Sequence, residues 1–185
     1  MVRRKDLSED EPALYKAKDA PAPTCVITRR DRDAILAMTK GSPGLETGGD
    51  LWGEWVADGC VIKAITGPGA EARQQMTAFF QDADFMLAAG IYLKGQALHI
   101  GTWHSHHTLG LPVPSGGDDR TYSIAMREYN RDRFIAFIAA IENGKPVVRP
   151  YFYEKIRGHI EMIKGKFKIA DDATFPDHSV ELARL

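Results

Sequence analysis

Residues 133–141, Arg-Phe-Ile-Ala-Phe-Ile-Ala-Ala-Ile, form a nearly continuous apolar run that ends just before the turn pair Asn143-Gly144. A strand that is apolar at odd and even positions alike has to be covered on both faces, so this segment predicts a central strand with layers packed above and below it. Val147–Tyr153 reads as the next strand across the turn. Upstream, Leu51–Val56 and Cys60–Thr66 read as a hairpin closed by Ala57-Asp58-Gly59, Thr77–Gln81 as a short strand, and residues 97–106 as a buried strand. Helical patterns fall between them. Thr28 and Asp31 make a capping box for a helix to about Lys40, with Ile35 and Met38 facing the core, and Asp82 caps a helix to about Lys94. After Ser115, the residues Tyr122, Ala125, Met126 and Tyr129 fall at i, i+3, i+4, i+7 spacing on a helix ending near Asn130. Residues 158–168 suggest an edge strand. The alternation of strands and helices predicts a layered α/β architecture.

One domain is the expectation for 185 residues of which 44% are hydrophobic, since a chain of this length buries about 70% of its unfolded surface. It is placed at residues 23–170, after a charged, Pro/Ala-rich extension at 1–22 and before an unassigned tail at 171–185.

The chemistry-bearing residues cluster around the strand at 97–106. Positions two apart on a strand point to the same face, so His104 and His106 can converge on one ion while Ser105 points away. Asp118, in Ser115-Gly116-Gly117-Asp118, falls in the first turn of the next helix, beside the end of that strand. Glu46 lies far upstream in Leu45-Glu46-Thr47-Gly48-Gly49. Two imidazoles, two carboxylates and a hydroxyl are the groups a hydrolytic zinc site requires: three protein ligands, an oxyanion donor and a general base. Each piece also has an ordinary reading. Ser115-x-x-Asp118 is a capping box, a lone His-x-His is a pair of strand-end residues, and Glu46 is an exposed loop acid. Trp103 reads as core or as a wall behind the ligands, and His107 either as a partner of the ligands or as a solvent-facing loop residue.

A Glu well upstream, then His-x-His, a loop and Ser-x-x-Asp, resembles the JAMM (JAB/MPN) metalloprotease signature. The match falls on Glu46, His104, His106, Ser115 and Asp118, with a loop His107–Pro114 one residue longer than the family's. That extra residue leaves Asp118 or Asp119 as the ligand, and keeping the Ser-x-x-Asp spacing favours Asp118. The resemblance implies a mixed β-sheet sandwiched by helices, cytidine-deaminase-like in layout. It implies Zn2+ held by His104, His106 and Asp118, with Glu46 as the general base and Ser115 as the oxyanion donor. The implied activity is hydrolysis of the amide or isopeptide bond after the C-terminus of a ubiquitin-like protein, by deconjugation or precursor processing. The compact domain is most similar to the stand-alone prokaryotic JAB branch, whose members are associated with ubiquitin-like conjugation and sulfur-carrier systems, some in antiviral defence. Expected partners are a ubiquitin-like protein or its conjugates and E1/E2-like enzymes. An extended tail would lie in a cleft formed by residues 65–95 and loop 107–114.

Other classes fit less well. A catalytically silent MPN-like binding scaffold would have lost ligands, and none is missing. A zinc nucleobase deaminase needs His-x-Glu and Pro-Cys-x-x-Cys, which Cys25 and Cys60 cannot supply. A formal charge of −1, with basic residues scattered among acids, argues against nucleic acid as a partner. The longest apolar runs are too short to cross a bilayer and the N-terminus lacks a signal-peptide core, so a soluble, cytoplasmic protein is expected.

Overall fold

The computed structural model of the chain describes residues 21–107 and 110–185. Residues 1–20 of the expected extension, and Thr108 and Leu109 of the loop after the histidines, lie outside the described residues. An eight-stranded mixed sheet organises the rest. Its strands are β1 (Thr24–Thr28), β2 (Gly48–Val56), β3 (Gly59–Ile65), β6 (Leu98–His106), β7 (Arg133–Glu142), β8 (Lys145–Ile156), β9 (His159–Lys164) and β10 (Lys166–Ala170), in the order β10-β1-β3-β2-β6-β7-β8-β9. A separate pair, β4 (Arg73–Gln74) and β5 (Phe79–Phe80), forms a small hairpin. The helices are α1 (Arg29–Gly41), α2 (Ala83–Tyr92), α3 (Gly116–Glu128) and the short α4 (Ser179–Leu182).

β7 is the central strand its sequence predicts. Ile135, Phe137 and Ala139 join Ile35 of α1, Trp103 and Phe152 in the main core, while Phe134, Ala136 and Ile138 pack with Tyr122 and Met126 of α3 on the other face. A third cluster seats α2 and α4 on β2 and β3 through Trp52, Ala64, Ala89, Leu93 and Leu182. Helices therefore cover both faces of the sheet. The caps form as the sequence predicts: Thr28 Oγ1 accepts from Asp31 N–H at 3.1 Å, and Asp82 Oδ1 accepts from the N–H groups of Asp84 and Phe85, both at 3.1 Å. Among the described residues, no helix is long and apolar enough to cross a membrane.

The structure adds to and revises these expectations. Thr24–Thr28, where the sequence pattern assigns no element before the Thr28 cap, is a strand: it runs parallel to both β3 and β10, and at five residues it is too short to show a period. The single edge strand expected at 158–168 is two strands, β9 and β10, which occupy opposite edges and are separated by Gly165. A Cβ on Gly165 would lie 2.4 Å from the Phe152 ring and 3.0 Å from Pro23 O, so only glycine lets the sheet curl until its edges meet. The tail beyond residue 170 docks on the domain. Arg30 N–H donates to Asp172 Oδ1 at 2.7 Å, Tyr92 Oη lies 3.0 Å from His178 Nδ1, and Leu182 is buried.

Candidate metal centre

β6 and β7 run parallel, and α3 is the crossover between them. This unit brings the carboxyl end of β6 against the N-terminus of α3, where α/β proteins place their chemistry. His104 and His106 sit at that strand end, side by side on one face. Their Nε2 atoms are 2.9 Å apart. Asp118, in the first turn of α3, places Oδ1 3.2 Å from His104 Nε2 and Oδ2 3.2 Å from His106 Nε2. A tetrahedral zinc with bonds of about 2.0–2.1 Å has ligand–ligand edges of about 3.3 Å, close to these separations. The three side chains are a group that could hold a metal ion, and their donor set of two imidazoles and a carboxylate suits zinc.

Asp118 is aimed by the capping box. Ser115 Oγ accepts from Asp118 N–H at 3.2 Å, and the Asp118 carboxylate accepts from Ser115 N–H at 2.6 Å. The box that competed with the metal-site reading is thus present, and it points the carboxylate at the histidines. Asp119 turns the other way, and its Oδ1 accepts from Tyr153 Oη at 2.5 Å. Burial alone would raise the Asp118 carboxyl, but hydrogen bonds from His104 and His106 hold it well below the usual carboxylate range. Burial lowers His106, and the Asp118 carboxylate together with Glu46 and the Leu111 carbonyl more than reverses this, leaving the ring with a raised pKa.

The groups behind the ligands are specific too. Tyr122 Oη lies 3.1 Å from His104 Nδ1 and is buried. A metal on Nε2 requires the ring proton on Nδ1, so the phenol oxygen is the acceptor that fixes this tautomer. His106 Nδ1 is buried without a hydrogen-bond partner among the described residues, although the Leu111 carbonyl is near enough to favour the charged ring.

Glu46 is buried, not an exposed loop acid. Its pKa is raised by burial, against the pull of His104 and His106, and Asp118 raises it further. Ser105, facing away from the ion position as the strand period predicts, contributes to this placement in a way the sequence reading missed. Its Oγ accepts from Thr47 N–H at 3.0 Å and its N–H donates to Thr47 O at 2.8 Å, tying the Glu46 segment to the His-x-His strand. Gly48 and Gly49 permit that approach, since a Cβ would lie 2.4 Å from Trp103 O at the first and 2.1 Å from Thr66 O at the second. Trp103 is core, its Nε1 donating to Thr66 O at 2.9 Å.

Glu46, His104, Ser115 and Asp118 open onto a cleft of about 760 Å³. Its walls are the β4–β5 hairpin with Gln81 and Met86 on one side, and Thr121 and Ala125 of α3 with its cap residue Tyr129 on the other. The expected 65–95 wall is thus only its 73–86 part. Residues 67–71 line a different cavity, and the described part of loop 107–114 does not line the cleft. His107 is half-buried, and burial lowers its pKa.

No protein-family model and no curated protein sequence matches the chain. Among solved structures, the chain is similar to protein DSY2949 from Desulfitobacterium hafniense, known as a solution structure. The TM-score is 0.59 at 19% identity, over 84% of this chain and 99% of that one. At that identity the likeness concerns the fold alone.

Proposed function

We propose that the chain is a zinc-dependent peptidase of the JAMM (JAB/MPN+) type that hydrolyses the bond after the C-terminus of a ubiquitin-like protein. The observation that carries the reading is the convergence of His104, His106 and Asp118 within hydrogen-bond distance, with a buried Glu46 beside them and an open cleft in front. A zinc ion on those three side chains would supply a Lewis acid and a water of lowered pKa. Glu46, with its pKa raised by burial, takes a proton from the attacking water and returns it to the leaving amine. The Ser115 hydroxyl accepts in the capping box through its lone pair, and its own O–H remains to donate to a developing oxyanion. Tyr122 keeps the His104 ring in register, and the β4–β5 hairpin with α3 forms the walls for an extended tail.

The test is cleavage of ubiquitin-like proteins fused or conjugated through their C-termini. Activity should stop with a chelator, return with zinc, and fall by roughly 10²–10⁴ in Glu46→Gln while metal content and fold persist. Cleavage that continues in chelator, or Glu46→Gln protein that has lost its metal, would overturn these roles. Equal activity on short unstructured peptides and on the intact modifier would overturn the substrate.

A further inference from the structure

At the end of the cleft away from the metal ligands, a guanidinium is held by groups the hydrolytic chemistry does not use. Asp50 is wholly buried on β2, and its Oδ1 accepts from Gln81 Nε2 at 2.7 Å and lies 3.1 Å from His99 Nε2. His99 Nδ1 is 3.2 Å from Arg131 Nη1, which also donates to the His99 carbonyl at 3.0 Å. Arginine can only donate, so His99 Nδ1 accepts, its proton sits on Nε2, and that proton is given to Asp50. The backbone holds Arg131 as firmly. α3 ends at Glu128 and is capped by Tyr129; beyond the cap Asn130 takes φ +48°, and Arg131 N–H returns to Met126 O at 2.8 Å while Asn130 N–H returns to Arg127 O at 3.2 Å, the Schellman pattern. The Tyr129 ring centre lies 6.0 Å from the guanidinium carbon.

Burying a carboxylate is costly, and Asp50 Oδ2 has no hydrogen-bond partner among the described residues. What Asp50 achieves is the orientation of His99 and, through it, of Arg131. The guanidinium spends Nη1 on His99. Its Nε and Nη2 make no hydrogen bond, and no carboxylate pairs with it, among the described residues. The acids lining the cleft, Glu46 and Asp118, are both at the metal end, while Arg73 adds a second cation to the wall, stacked 4.7 Å over Phe80. An oriented guanidinium edge in a cleft end without acids is a receptor for a carboxylate.

We propose that Arg131 is a specificity residue that binds the side-chain carboxylate of an Asp or Glu in the substrate, with His99 and Asp50 as its positioning residues. The proposal rests on the reading of the cleft as a peptidase groove. His99 and His104 are five positions apart on β6, and a register shift against β2 between them lets both face the cleft; the span is at most about 16 Å at the rise of a strand, so an extended substrate would place the acid about four to five residues from the bond cleaved.

The experiment measures binding apart from cleavage. Full-length, zinc-loaded Glu46→Gln protein is titrated by fluorescence anisotropy with nine-residue peptides of Gly, Ala and Leu carrying one Glu walked through each position, each paired with its Gln twin. One position should bind at least about tenfold more tightly as Glu, the size of a charge-assisted pair. Arg131→Ala should erase that gap, Arg131→Glu should reverse it, and Asp50→Asn, folded by circular dichroism, should narrow it with Arg131 still present. If no position prefers Glu, or if the preference survives Arg131→Ala, the subsite is refuted, whatever the wild-type enzyme cleaves. If the Arg131-dependent preference appears but wild-type protein shows no metal-dependent cleavage, the subsite stands and the peptidase reading falls.

Discussion

Replacing Tyr122 by Phe removes a hydroxyl that stands behind the metal ligands, between His104 and Thr102. The ring is stacked 5.1 Å from Phe134 and meets Tyr153 edge-on at 5.1 Å, and Phe preserves both contacts, so the only atom removed is the oxygen 3.1 Å from His104 Nδ1. Two effects follow, and they are separable. The metal-free protein loses the buried contacts of that hydroxyl with His104 and with Thr102, about 1–2 kcal/mol together, which for a domain of this size lowers Tm by about 2–8 °C. The metal-loaded protein loses the acceptor that keeps the His104 proton on Nδ1 and Nε2 free to ligate, a change that typically weakens metal binding by about 10–100-fold. Competition with a chromophoric zinc chelator reads the second effect, and thermal denaturation in excess chelator reads the first. Tyr153→Phe is the control, since it removes the bond to Asp119 and should leave zinc affinity where it was. A Tyr122→Phe protein with the expected drop in Tm but unchanged zinc affinity would refute the reasoning, because the phenol would then be a structural partner and not a tautomer lock.

Zinc analysis of single variants should show His104→Ala, His106→Ala and Asp118→Ala losing the metal while Asp119→Ala keeps it, and the reverse behaviour of the two aspartates would overturn the ligand set. Asp82 has its carboxyl held below the usual range by the N–H groups of Glu71 and Phe85, opposed by partial burial and helped by Asp84 N–H. Its folded pKa is depressed, so its contribution to stability is full above the unfolded value of about 3.9 and is lost as pH falls through the lower folded value. The Tm gap between wild type and Asp82→Ala should therefore be constant above about pH 5 and close below about pH 4, and a gap independent of pH would show that the charge is not what Asp82 contributes.

What could be read from the sequence was whatever is encoded within one or two turns of chain. His104 and His106 share a face because a strand alternates, and Thr28, Asp82 and Ser115 cap helices because each is followed by the backbone donors it needs. The choice of Asp118 over Asp119 follows from the same local geometry, since only the third residue after Ser115 closes the box. What escaped reading is decided by distant partners. Tyr122 looked like a core residue, and only the docking of α3 against β6 brings its hydroxyl to His104. Ser105 looked idle until the strand met the Glu46 segment. Asp50, His99 and Arg131 come from three segments with no shared period. Gly165 gives no sign in its neighbours that two strands separate there, because the reason lies in Phe152 and Pro23.

That same glycine joint shapes how the chain reaches its native state. β1 pairs on one side with β3, a near neighbour in sequence, but on the other side with β10, where Thr24 meets Lys166. Among the described residues β1 is the first strand and β10 the last, so the outer hydrogen bonds of β1 are met only when a loop of that length is closed, which costs entropy before any contact repays it. Until then β1 is an exposed template that could pair with another chain. Because β9 pairs with β8 and Gly165 follows at once, the chain carries β10 round to β1 with no slack. Pairing of β10 with β1 therefore closes the long loop and covers the exposed edge of β1 together.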